Sequence, residues 1–177
     1  MLHCGVHVVV AGAPSRQVLL EGVDFFVRHA VSLAGIRKIA LIGSLMTDKP
    51  SPKDADVLVW IEDNMDLAPL AALGRRFIGR MQSRGRGADI FLANAQGEYL
   101  GRTCLWKDCR RGIRRSCDAI HCGRRPYLHD DLLTVALAPS LVISPPIVVW
   151  PEVEAEGPLP TDVEALIESW RATGLMG

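Results

Sequence analysis

Three short aliphatic runs, "IRKIALIG" (36–43), "ADVLVWI" (55–61) and "ADIFLA" (88–93), set most of what this chain can become. Each is too short for a globular helix and rich in residues that suit a pleated surface, so each predicts a strand. Between and before them the apolar period changes from a run to a stripe. From Ser15 the side chains of Val18, Leu19, Val23, Phe26, Val27, Ala30 and Val31 recur at helical spacing, and Ser15 is a residue type that caps helices; this predicts an amphipathic helix ending near Gly35. Asp66 to Arg84 repeats the pattern and turns basic toward its end, where cations complement the helix dipole. The order helix, strand, loop, strand, helix, strand predicts an α/β (α+β) fold, a small mixed sheet flanked by helices.

At 177 residues there is material for one domain with a sizeable core. Residues 1–101 are expected to form that core and 102–129 a Cys/Arg-rich segment. Residues 130–150 should add further strands that complete the domain, and 158–177 a C-terminal helix. "PEVEAEGPLP" is the best linker, which would leave the last helix an appendage. Twenty basic residues balance twenty acidic ones, so any electrostatic signal must come from local clustering. No basic region precedes the short apolar run at the N-terminus, and no run of about 18 apolar residues occurs, so a cytoplasmic protein without a membrane span is expected.

The sharpest chemical feature is "DADVLVWI". Strand side chains alternate between faces, so Asp54 and Asp56 point the same way. Carboxylates held that close repel, and a shared proton or a cation relieves the repulsion. Magnesium suits such a pair, since it favours one or two carboxylates plus substrate phosphates. Asp89 starts "DIFLA" with the same acid-then-hydrophobe pattern, and if the two strands are neighbours the three acids meet at one end of the sheet. Any one of these acids alone is more often a solvated strand start, and it is the set that shifts the balance. Ahead of them, Gly43 and Ser44 offer a tight turn whose amides and hydroxyl can hold a phosphate.

Gly-Ser, nine residues, Asp-Ala-Asp followed by "VLVWI", and a later "ADIFL" together resemble the signature of the DNA polymerase β-like nucleotidyltransferase superfamily, in particular its small stand-alone members. The resemblance covers roughly residues 17 to 93. It implies a nucleotidyltransferase-like fold in which Gly43 and Ser44 contact the triphosphate of an NTP. It also implies that Asp54 and Asp56 bind Mg2+, and that Asp89 completes the site and accepts the proton of the attacking hydroxyl. Two metals in such a site stabilise both the attacking and the leaving oxygen. Small relatives often carry Arg or another polar residue soon after the Gly-Ser; here Leu45, Met46 and Thr47 follow, which leaves Lys49 and Lys53 to meet the phosphates.

Residues 104–122 hold Cys104, Cys109, Cys117 and Cys122 in a C-x4-C-x7-C-x4-C spacing. That arrangement is compatible with a structural Zn2+ site, with His121 and His129 nearby, and equally with small buried thiols. Eight cations stand against Asp108 and Asp118 between residues 102 and 129. Arg110, Arg111, Arg114 and Arg115 with Trp106 suit RNA, tRNA included, or a protein surface, and a solvated basic face is the plain alternative.

Two functions follow. One is a Mg-dependent nucleotidyltransferase that moves an NMP from an NTP to an RNA end or a protein hydroxyl. For such an enzyme the resemblance also implies a toxin-antitoxin pairing with a protein partner encoded nearby. The other is a catalytically inactive module of the same fold that binds nucleic acid or a partner protein.

Overall fold

The computed structural model describes residues 14–105, 125–135 and 137–176. Helix α1 (Pro14–Ala30) turns Leu19, Val23, Phe26, Val27 and Ala30 inward, with Arg28 and His29 in its last turn. Strand β1 (Ile36–Ile42) follows and ends in a single 3-10 turn, Gly43–Met46. Strand β2 is Asp54–Ile61, helix α2 Ala68–Gln82 and strand β3 Gly87–Ala93. The chain continues through β4 (Tyr99–Thr103), β5 (Leu128–His129), the five-residue helix α3 (Pro139–Ile143), β6 (Ile147–Trp150), β7 (Glu154–Ala155) and α4 (Thr161–Ala172).

The strands form one seven-stranded sheet in the order β5-β4-β3-β2-β1-β6-β7. Only β2 and β3 pair in parallel, because helix α2 carries the chain back between them; every other neighbour is antiparallel. The molecule is thus a mixed α/β protein with a mostly antiparallel sheet. Alternation divides the sheet into two faces. One contributes Ile39, Leu41, Val57, Val59, Ile61, Ile90 and Leu92 to a large core shared with α1, α2 and α4. The other contributes Ala40, Ile42, Leu58, Trp60 and Ala93 to a smaller cluster under Val142 of α3. On that second face the Lys38 Nζ lies 4.2 Å from the centre of the Trp60 ring.

Helix α4 is part of the core and not an appendage. Val163, Leu166, Ile167 and Trp170 join the main cluster, and the Trp170 indole N–H donates to Asp24 of α1 at 2.6 Å. Among the described residues of the two apolar runs between 132 and 150, only Ile147–Trp150 form a strand. The earlier run holds a turn at 132–134 and α3, with Leu133 and Ile143 largely exposed. Pro139 opens that short helix, and Pro145 and Pro146, which lack an N–H for a ladder, delay the strand until Ile147. No helix among the described residues is long and apolar enough to cross a membrane.

Candidate functional site

Parallel pairing places Asp56 of β2 directly beside Asp89 of β3 and Asp54 beside Gly87. Register partners share a face, so all three carboxylates stand on the second face, beyond the apolar cluster built on Leu58 and Trp60. The antiparallel neighbour on the other side sets Ile42 opposite Asp56, which brings the Gly43–Met46 turn to the same end of the sheet. Gly43 has a φ of +76°, and a Cβ there would strike the Asp56 carboxylate. A Cβ at Gly87 would likewise strike that of Asp54. Both glycines clear the space their neighbouring carboxylates occupy, one of them in a left-handed conformation that side chains rarely adopt.

Asp56 is half-buried and Asp54 exposed, and among the described residues neither forms an ion pair. Burial, and then the charges of Asp89 and Asp54, push the Asp56 carboxyl up to about 6. Asp89 is differently placed. Arg102 of β4 donates from Nη1 to its Oδ1 at 3.0 Å and from Nε to Asp131 Oδ2 at 2.6 Å. The Asp131 side chain is fully buried and also accepts from the Tyr99 hydroxyl at 2.8 Å. Burial, reinforced by that hydrogen bond and the Asp131 charge, raises the Tyr99 phenol far above its ordinary value. Burial alone would lower Arg102, but Asp89 and Asp131 together raise it, so the guanidinium is held as a cation between two acids.

The three expected carboxylates therefore converge, but not as equals: among the described residues Asp54 and Asp56 have no cationic partner, whereas Asp89 is paired with Arg102. Among the described residues no group of three or more His, Cys, Asp or Glu side chains is arranged to hold a metal ion. Two carboxylates cradled against glycines, one of them half-buried, do fit magnesium, whose remaining ligands are usually waters and substrate phosphates.

Ser44 lies in the turn beside this pair, while Lys49 and Lys53 are exposed on the loop that returns to β2. Cys104 is buried after β4. Cys109, Cys117, Cys122, Trp106, Arg110, Arg111, Arg114 and Arg115 lie outside the described residues. Asp131, which follows β5, orients Arg102. The signal for that was Arg102 itself, a charge on the same face as Asp89 one strand away, and it is visible only once the β3–β4 register is known.

Fold and site together define a mixed α/β protein with an acidic cluster and a glycine turn at one end of its sheet. The chain belongs to a protein family of unknown function, DUF6932, whose model matches residues 5–115. No curated protein and no solved structure matches it.

Proposed function

We propose that this protein binds the magnesium complex of a nucleoside triphosphate at the Gly43–Asp56 end of the sheet and transfers the nucleotidyl group to an acceptor hydroxyl. One observation carries the reading: Asp54 and Asp56, without cationic partners among the described residues, stand beside a Gly-Ser turn, with Asp56 in register with Asp89. Two unpaired carboxylates on one face call for a cation, and a turn at their edge offers backbone amides to an anion; a metal triphosphate satisfies both. The order α1, β1, turn, β2, α2, β3 supports the resemblance to the nucleotidyltransferase superfamily on which the transfer step rests. Bound magnesium would supply charge neutralisation for the phosphates. The chain's own part is to fix the two carboxylates, to place the turn, and to hold an acceptor oxygen within reach of Asp89.

Incubation with each labelled NTP, magnesium, and a mixture of total RNA and cell protein tests the reading. Label transferred by the wild type should fall by at least about 100-fold in Asp54→Ala and Asp56→Ala, as for loss of a central charge-stabilising group; transfer unchanged in both would refute it.

A second reading, a module of this fold that binds nucleotide or nucleic acid without transferring anything, is favoured by the Arg102–Asp89 ion pair. The Asp89 Oδ1 already accepts from Arg102 and is therefore less free to meet an acceptor hydroxyl. Under this reading the wild type binds Mg-NTP yet labels nothing. RNA binding by the basic segment and a protein partner belong to the proposal as candidate acceptors; Zn2+ at the four cysteines is a separate proposal that metal analysis of the purified protein tests.

A further inference from the structure

Arg16, near the start of α1, is only 6% exposed and uses all five of its N–H groups. Nε and Nη2 grip the two oxygens of Asp162 in α4, at 2.6 and 2.9 Å. The other bonds go to three backbone carbonyls of one loop: Nη2 to Leu45 at 2.9 Å, and Nη1 to Thr47 at 2.9 Å and Lys49 at 3.0 Å. Ser15 adds a bond from its hydroxyl to the Pro50 carbonyl at 3.3 Å. Burial raises the Asp162 carboxyl, but the hydrogen bonds and charge of Arg16 and its backbone amide partners outweigh this and hold it below its ordinary value. The pair is therefore charged on both sides, bidentate and fully donated, the geometry in which a buried ion pair is held tightly.

The loop so gripped is the continuation of the Gly43-Ser44 turn and leads to Asp54. Carbonyl oxygens repel phosphate oxygens, so a turn that is to receive a triphosphate must aim its carbonyls elsewhere. Arg16 draws three of them inward. Beside the loop "LMTDKPSPK", the Thr47 amide and hydroxyl donate to the Ser44 carbonyl and the Thr47 hydroxyl accepts from the Lys49 amide, but among the described residues none of these local bonds engages the carbonyls of Leu45, Thr47 or Lys49 that Arg16 holds.

We propose that Arg16 and Asp162 are a positioning pair for the nucleotide site: Arg16 sets the carbonyls of the Leu45–Lys49 loop away from the phosphates, and Asp162 orients Arg16. This rests on the nucleotide reading above. It makes helix α4, which lies outside the matched residues 5–115, a required part of the site.

Two variants separate positioning from folding. Asp162→Asn keeps the shape and removes the charge. The double variant Arg16→Met/Asp162→Leu replaces the pair by apolar groups of similar volume, an exchange that buried ion pairs often tolerate. Hydrogen exchange and calorimetry with each Mg-NTP are then run on the full chain.

The expected result is faster exchange at amides 44–49, unchanged protection in β2 and β3, and a dissociation constant for Mg-NTP raised about tenfold or more, the effect of roughly one lost hydrogen-bonded charge. Faster loop exchange with unchanged affinity would overturn the proposal, since the pair would then be structural only; so would unchanged loop exchange in both variants. Absence of Mg-NTP binding by the wild type overturns the nucleotide reading and this role with it, whereas binding by the wild type with no effect of the variants overturns this role alone.

Discussion

At the scale of the residue, the defining fact is an unequal treatment of three acids. Arg102 and, through it, Asp131 settle Asp89, while Asp54 and Asp56 are left facing each other. The consequence for stability has a definite sign. The Asp56 carboxyl titrates at about 6 in the folded chain against 3.8 for the free group, so the native state binds the proton more tightly. Its cost is absent below pH 4, grows between pH 4 and 6, and is complete above pH 6. Asp56→Asn should therefore stabilise the protein at pH 7.5 by about 1–2 kcal/mol once solvent screening of a partly exposed group is allowed for, with the gain vanishing near pH 4. Denaturant unfolding at the two pH values checks this; equal stabilisation at both would mean that the ionised carboxyl, disfavoured first by burial and then by the neighbouring acids, is not the cause. Asp162 runs the other way: its lowered carboxyl stabilises the fold above the ordinary carboxylate range, a contribution lost only as pH falls through its folded value. The Asp54–Asp56 pair was legible from period-two alternation. The Arg102 clamp was not, because it depends on a strand register that only the folded sheet defines.

At the scale of the element, helix α4 carries more than its position at the chain end implies. Trp170 is wholly buried against α1 and hydrogen-bonded to Asp24. Trp170→Ala should cost about 3–5 kcal/mol, the range for a large aromatic lost from a core, measured as a drop in the denaturant midpoint at unchanged slope. A loss below about 1 kcal/mol would return α4 to the status of an appendage. The strands β1, β2 and β3 and helices α1 and α2 fall within a few residues of where hydrophobic period placed them, since each owes its form to a local pattern. Helix α4 was recognised as a helix from its sequence, but its docking was hidden. The acidic "PEVEAEGPLP" before it reads as a spacer, whereas the contacts that tie it down, Asp162 to Arg16 and Trp170 to Asp24, each span 146 residues. The run at 132–143 failed as a strand for a related reason. Its composition is apolar, but the prolines around it interrupt the ladder, and Leu132, Leu133 and Ile143 face outward.

At the scale of the whole molecule, a neutral chain distributes its charges unevenly along its sequence. One sheet end gathers Asp54, Asp56 and Asp89 beside a glycine turn, and the sequence from 102 to 129 gathers eight cations against two anions. The sheet supplies rigidity through the parallel β2–β3 pair, α1, braced by Asp162 of α4, grips the loop that follows the turn, and the acids supply a demand for a cation. The account's central claim is that this demand is met by a metal-bound triphosphate. Calorimetry of the wild type and of Asp54→Ala/Asp56→Ala with each NTP, with magnesium and with magnesium chelated, measures it most directly. The account predicts binding by the wild type that requires magnesium and is lost by at least about 100-fold in the double variant, equivalent to about 2.7 kcal/mol. Binding that persists without magnesium or survives loss of both carboxylates would contradict it, as would no binding of any NTP by the wild type.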